Sequence, residues 1–144
     1  MRTLYSVAGL IVLLDQITKY FAISYLKPRL SVPVIPGIFH LSFVENSGIA
    51  FGLFQNRPEF WTTFITLSVL VLLIVSWFFK SQPLSSRISF AFILGGALGN
   101  CVDRIRFAGV IDFLDFRIWP VFNLADSFIT IGVIVFIWFT LKTR

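Results

Sequence analysis

Residues 61–79 read WTTFITLSVLVLLIVSWFF, a run without one charged side chain. As an α-helix, rising about 1.5 Å per residue, it comes close to crossing the hydrocarbon core of a bilayer, roughly 30 Å thick. A helix also satisfies every backbone N–H and C=O from within, which hydrocarbon demands of any segment that crosses it. Three further apolar stretches lie around this one. The first covers about 4–26 and is interrupted by Asp15 and Lys19; another, 88–102, is short and rich in glycine; the last covers about 123–141, with Asp126 in its first turn. The reading is an all-α membrane protein with four transmembrane helices, forming a single integral-membrane domain over residues 1–144.

Composition agrees. The chain has 144 residues, of which 57% are hydrophobic and 13% charged, with 18 Phe and 4 Trp; soluble domains carry about 25% charged residues. Mean hydropathy is +0.88, more apolar side chain than so small a globule can hide inside itself. A secretory leader is the competing reading of the first stretch, since Arg2 precedes an apolar run. No small-residue cleavage site follows Leu14, however, and Asp15-Gln16 stands where cleavage would fall.

The scarce residue types exclude whole chemistries. One cysteine, Cys101, allows no internal disulfide, and one histidine, His40, cannot form a His cluster around zinc. His40 and Cys101 also lie in unrelated segments, which disfavours Ser-His-Asp and Cys-His catalysis. Carboxylates remain. The net charge of +5 suggests nucleic acid only until the Lys and Arg are located: they are scattered between apolar runs and form no basic stripe. Arg2, Lys80, Arg87, Lys142 and Arg144 occupy segments 1–3, 80–87 and 142–144 without an acidic residue, so by the positive-inside rule these are cytoplasmic. Both termini are then expected inside, with connections 27–60 and 103–121 on the outer side.

Those connections are not plain loops. Phe39, Leu41 and Phe43 alternate with His40, Ser42 and Val44, and GVIDFLDFRIW (109–119) is rich in β-branched and aromatic residues, so a small β-element at the outer surface is predicted. Aromatic anchoring of loops at the headgroup level would account for the aromatics alone.

Asp15 and Lys19, four apart, share a helix face and can pair, and charges inside a span mark function by default. Tethering helix 1 to a polar neighbour is the plainer alternative. Gly95 and Gly99 have the spacing of close helix packing. Asn100, Asp103 and Arg104 follow at the outer end of the third stretch, where a polar network could brace a site. Asn123 and Asp126, three apart before an apolar run, have the form of an N-cap and a first-turn acid. The competing reading pairs Asp126 with Asp112 or Asp115, because two carboxylates around one water resist double ionisation and divide into acid and base. Pro120 keeps them off one continuous helix, and spacing alone leaves both partners open.

The blocks DQITK (15–19), NSGIAFG (46–52), GGALGNCVDR (95–104), VIDF (110–113) and FNLADS (122–127) resemble, in order and spacing, the lipoprotein signal peptidase (signal peptidase II) family. The resemblance covers nearly the whole chain. It implies an aspartyl endopeptidase of the bacterial inner membrane that cuts the signal peptide from prolipoproteins just before a diacylglyceryl-modified cysteine, without metal or cofactor. It places the catalytic pair on Asp112 and Asp126 and gives Asp115 no such standing. Asp15, Lys19, Asn46, Gly48, Asn100, Asp103, Arg104, Asn123 and Ala125 match positions that shape or support the site, and the strand-like segment becomes a periplasmic β-element beside the substrate. The expected partners are the lipidated prolipoprotein and membrane lipid, with no nucleic acid, and the expected state is a monomer. Asn46 and Asn123 are candidate donors to the oxyanion, against the plainer role of satisfying backbone in a turn.

Two rival readings predict different placements. A transporter subunit or lipid-binding scaffold, with its charges in a buried ion-pair network, should place polar residues near the midplane and show an internal repeat. An aspartyl protease cutting within a transmembrane segment should carry its acids deep in two adjacent helices. Here the polar residues gather at the outer end, no repeat is evident, and Asp112 lies outside the spans.

Overall fold

A computed structural model describes residues 1–48 and 58–142. Ile49 to Gly52 of the NSGIAFG block, Arg57 and Arg144 therefore lie outside the described residues. Helix α1 (Arg2–Phe21) runs on through a π turn (Ala22–Leu26) into strands β1 (Ser31–Ile35) and β2 (Phe39–Asn46). Helix α2 (Pro58–Ser76), extended by a 3-10 turn (Trp77–Phe79), leads to α3 (Leu84–Phe107), strand β3 (Val110–Asp115) and α4 (Leu124–Lys142). All four helices are long and apolar enough to cross a membrane. Large apolar side chains such as Leu67, Ile74, Ile134 and Trp138 point outward, which is stable only where the surroundings are hydrocarbon.

The third span corrects its sequence reading. It is not the short stretch 88–102 but a helix of 24 residues, Leu84–Phe107, so Asp103 and Arg104 are helical rather than part of the connection. Their charges do not end the helix because each finds a partner inside the protein: Lys19 for Asp103 and the Gly48 carbonyl for Arg104. The helix stops at Ala108, whose left-handed backbone (φ 55°) supplies the C-terminal turn before Gly109.

Helix α3 packs against each of the other three. On the α1 side a Cβ on Gly95 would lie 2.8 Å from the Ala8 carbonyl oxygen, and one on Gly99 would lie 2.5 Å from Asp15 Oδ2. On the α4 side a Cβ on Gly96 would lie 2.5 Å from the Ala125 carbonyl oxygen. The glycines thus let three backbones approach closely, the packing role their spacing suggested. Leu4 and Ala8 of α1 and Phe90, Ala91 and Leu94 of α3 fill the core between those two helices.

The predicted β-element is a three-stranded antiparallel sheet of order β1-β2-β3. It covers the helix end at which α1 and α3 finish and α2 and α4 begin. Between β2 and β3 the register shifts: His40 pairs with Asp115 and Leu41 with Leu114, whereas Val44 pairs with Asp112 and Asn46 with Val110. The extra β2 residue in that interval is a bulge. Ala22, Leu26, Ile111 and Phe113 form the core that ties the sheet to the end of α1.

Candidate active site

Asp112 and Asp126 line one cavity of about 750 Å3 beneath the sheet, together with Asn46, Gly48, Asn100 and Arg104. Trp61, Phe64, Ile65 and Val69 of α2 form its apolar wall. Asp112 reaches the cavity from β3 and Asp126 from the first turn of α4. Asp115, three residues beyond Asp112, falls on the opposite face of the strand because strand side chains alternate. There it accepts a hydrogen bond from Ser42 Oγ (2.8 Å), another from the Arg117 N–H (2.9 Å), and pairs with the Arg117 guanidinium (3.0 Å). Burial alone would raise its carboxyl, but these donors prevail and hold it below the usual range.

Asp112 is 2% exposed, and both of its oxygens accept from side-chain amides: Oδ2 from Asn46 Nδ2 (3.0 Å) and Oδ1 from Asn123 Nδ2 (2.7 Å). Burial pushes its carboxyl up to about 7, with the neighbouring Asp126 charge adding to the rise and the two amide donors opposing it. Asp126 accepts from Asn100 Nδ2 at Oδ1 (2.7 Å). The Asp126 N–H donates to Asn123 Oδ1 (2.9 Å), and the Asn123 N–H donates back to Asp126 Oδ2 at a longer 3.4 Å. That is a reciprocal capping box. Capping and a place in the cavity are therefore not alternatives for Asp126: the cap aims the carboxylate.

Asn123 is fully buried, and its two amide hydrogens go to Asp112 Oδ1 and Asn100 Oδ1 (3.1 Å). None is left for an oxyanion, so of the two amides suggested for that task Asn123 is a brace. Asn46 spends one amide hydrogen on Asp112 and its carbonyl oxygen on the Gly48 N–H (3.1 Å). Behind this layer Lys19, 2% exposed, lies 2.8 Å from Asp15 Oδ2 and 2.8 Å from Asp103 Oδ2, and donates to Asn100 Oδ1 at 3.0 Å. The free oxygen of Asp15 holds the Ala125 N–H (3.0 Å), so α1 fixes the first turn of α4. Asp103 Oδ2 also accepts the Ile111 N–H (3.1 Å), anchoring β3 next to Asp112.

Of the site residues read from the sequence, Asp112, Asp126, Asn46, Gly48, Asn100 and Arg104 line the cavity, Asn123 and Lys19 stand one hydrogen bond behind it, and Asp15, Asp103 and Ala125 form the layer behind Lys19. Sequence reasoning passed over Gln16, whose amide donates to Asp103 Oδ1 (2.9 Å) and the Gly99 carbonyl (3.3 Å), and the α2 wall. A polar side chain beside Asp15 in an otherwise apolar run was the available signal for Gln16. An all-apolar helix offers none for a pocket wall. Among the described residues no group of three or more His, Cys, Asp or Glu converges as a metal site would require.

Four membrane helices capped by a sheet, with two carboxylates under the cap, define a polytopic membrane protein with an acid pair at one end of its spans. Residues 7–142 match the family model described as signal peptidase (SPase) II. A lipoprotein signal peptidase of Moorella thermoacetica is 46% identical over 134 residues, covering 91% of this chain and 87% of the relative. One from Caldanaerobacter subterraneus is 46% identical over 132 residues, covering 90% and 89%. A solved bacterial membrane enzyme, 33% identical, superposes with a TM-score of 0.85 over 99% of this chain and 89% of that one. The chain belongs to the signal peptidase II family, whose members are aspartic proteases of the membrane.

Proposed function

We propose that this protein removes the signal peptide from diacylglyceryl-modified prolipoproteins, cutting just before the lipidated cysteine, with Asp112 and Asp126 as its catalytic pair. The observation that carries the assignment is the shared cavity: two carboxylates from separate elements, each held by directed amide donors, face one space large enough for a peptide and a water. Family membership supplies the substrate class.

One aspartate, as carboxylate, takes a proton from water while the oxygen of that water attacks the scissile carbonyl carbon; the other donates its proton to the carbonyl oxygen. In the tetrahedral intermediate the C–N bond then breaks. The first aspartate returns its proton to the leaving amine and the second recovers one from the intermediate's hydroxyl. Arg104 stands beside the pair, within the field of both carboxylates, and favours their single negative charge. The lipid chains of the substrate remain in the bilayer against the exposed apolar helix faces, so that membrane anchoring supplies much of the positioning. Both acids and their amide holders come from one chain, which is what a monomeric enzyme needs. The basic residues at the opposite helix ends support cytoplasmic termini and an active site facing the periplasm in a bacterial inner membrane. Transport or scaffolding finds no comparable support, since the polar residues gather at one end.

Cleavage of a diacylglyceryl-modified prolipoprotein by purified protein tests the assignment. Asp112→Asn and Asp126→Asn should fold and lose activity by at least about a thousandfold, as removal of a catalytic group does, while Asp115→Asn should cut at near the unmodified rate. Turnover by either of the first two would refute the pair.

A further inference from the structure

The two aspartates are held by chemically different partners, and the difference bears on which of them carries the shared proton. The geometry points to Asp126 as the ionised general base and Asp112 as the proton donor, with Lys19 and Asn100 as the positioning residues that set this polarity from α1 and α3. The inference rests on the catalytic pair proposed above and specifies its roles.

The Lys19 ammonium donates to Asn100 Oδ1 at 3.0 Å, and the same amide donates from Nδ2 to Asp126 Oδ1 at 2.7 Å. Pulling electron density toward its oxygen makes an amide a stronger N–H donor, so hydrogen bonds in such a chain reinforce one another. The positive charge of Lys19 is thereby relayed to Asp126 through one side chain. Asp126 has a second source of anion stabilisation, its place in the first turn of α4, where the helix dipole and the Asn123 N–H favour negative charge. Asp112 has neither. It sits in a strand, which has little dipole, and its donors are neutral amides; the carbonyl end of Asn46 meets a backbone N–H rather than a cation.

The other charged groups around the pair do not cancel the asymmetry. Arg104 acts on both carboxylates, on Asp112 more than on Asp126, but through space, since its hydrogen bond goes to the Gly48 carbonyl. Asp15 and Asp103 are engaged with Lys19 itself, Glu45 at the cavity rim pairs with Lys27, and the α2 wall contributes no charge. The rise of the Asp112 carboxyl to about 7 accords with its keeping the proton at neutral pH.

In chemical terms, Asp126 takes the proton of the attacking water as the C–O bond forms, and Asp112 gives its own to the carbonyl oxygen. When the C–N bond breaks, Asp126 passes its proton to the amine and Asp112 is reprotonated from the hydroxyl.

The test uses the full chain in detergent, labelled with 13C at the aspartate carboxyls, with the two signals assigned by their loss in Asp112→Asn and Asp126→Asn. At pH 6 the Asp112 signal should be that of an acid and the Asp126 signal that of a carboxylate; the reverse overturns the inference. Cleavage across pH supplies the second arm. Asn100→Ala, and separately Lys19→Met combined with Asp103→Asn, which preserves the net charge of the buried cluster, should shift the acidic limb of kcat upward by about one pH unit and leave KM within about twofold. A merely structural role would lower kcat at every pH without moving the limb, and that result also overturns the proposal. If Asp112→Asn or Asp126→Asn still cuts, the pair itself falls; if both are dead while the carboxyl signals are reversed, only the assigned polarity does.

Discussion

If Asp112 belongs to the catalytic pair as proposed, its hydrogen bond from Asn46 bears on the pH range of activity. The Asn46 amide donates to Asp112 Oδ2 and favours the ionised carboxylate, opposing the burial that raises this group to about 7. Activity that depends on the Asp112 proton should fall as pH rises through about 7, a midpoint belonging to the coupled pair. Asn46→Ala removes a donor to the charged form, so the alkaline limb of kcat should move to higher pH by about one unit. An unmoved or lowered limb would contradict this reading. Folding stability follows the same proton. Because the folded Asp112 carboxyl is raised from 3.8 to about 7, the folded state binds more protons than the unfolded chain between those values. Stability attributable to this group is complete below 3.8 and lost as pH rises through about 7, and Asp112→Asn should flatten that slope in a detergent melting series. At this scale much was legible. Asn123 and Asp126 announced a cap, and the cap exists; what the spacing could not convey is that the cap also points the carboxylate at Asp112. The choice between Asp112 and Asp115 was decidable in principle, since residues three apart on a strand face opposite ways. It stayed open because strand geometry for VIDFLDF had first to be granted.

Among the elements, α3 carries the closest constraint, held between α1 and α4 by glycines on different sides. Gly96→Ala would put a Cβ 2.5 Å from the carbonyl oxygen of Ala125, the residue before Asp126, and 2.7 Å from Ile129. Backbone cannot yield as a flexible side chain does, so the first turn of α4 must shift. Overpacking of this kind costs about 1–3 kcal/mol, and displacing Asp126 should cost activity beyond the stability loss. Gly9→Ala is the internal control: the space around it is open, and replacing a helical glycine should be neutral or stabilising by up to about 1 kcal/mol in the detergent-solubilised protein. Melting and cleavage measured together on the two variants check both statements; equal tolerance would show that α3 and α4 are looser than their contact implies. The helices themselves were readable from apolar runs, but the end of α3 was not. Asn100, Asp103 and Arg104 look like the start of a polar connection, and only tertiary partners on α1 and near β2 keep them helical. Pairing of β2 with β3 was likewise invisible, because a bulge and a register belong to two segments at once.

For the whole molecule, charge and topology agree on an orientation. Six of the seven Asp and Glu residues belong to the sheet or to the helix ends on its side, and the seventh, Asp15, lies inside α1 level with the first turn of α4, whose Ala125 N–H it accepts. The opposite end, where α1 begins, α4 finishes and α2 turns into α3, carries Arg2, Lys80, Arg87 and Lys142 without an acid. A bias in Lys and Arg of this kind places short connections on the cytoplasmic side, which would put the Asp112 and Asp126 cavity at the outer leaflet, where a translocated lipoprotein presents its processing site. The orientation is measurable with single cysteines. In a Cys101→Ser background, the buried native thiol is removed, and Ile118→Cys and Ser81→Cys then mark the two ends on exposed positions, Ile118 being 94% accessible. A membrane-impermeant maleimide should label Ile118→Cys in intact spheroplasts and Ser81→Cys only after permeabilisation. The opposite pattern would place the acid pair on the cytoplasmic side, where it could not meet a prolipoprotein whose lipidated cysteine has already crossed the membrane, and the substrate assignment would fall with the orientation.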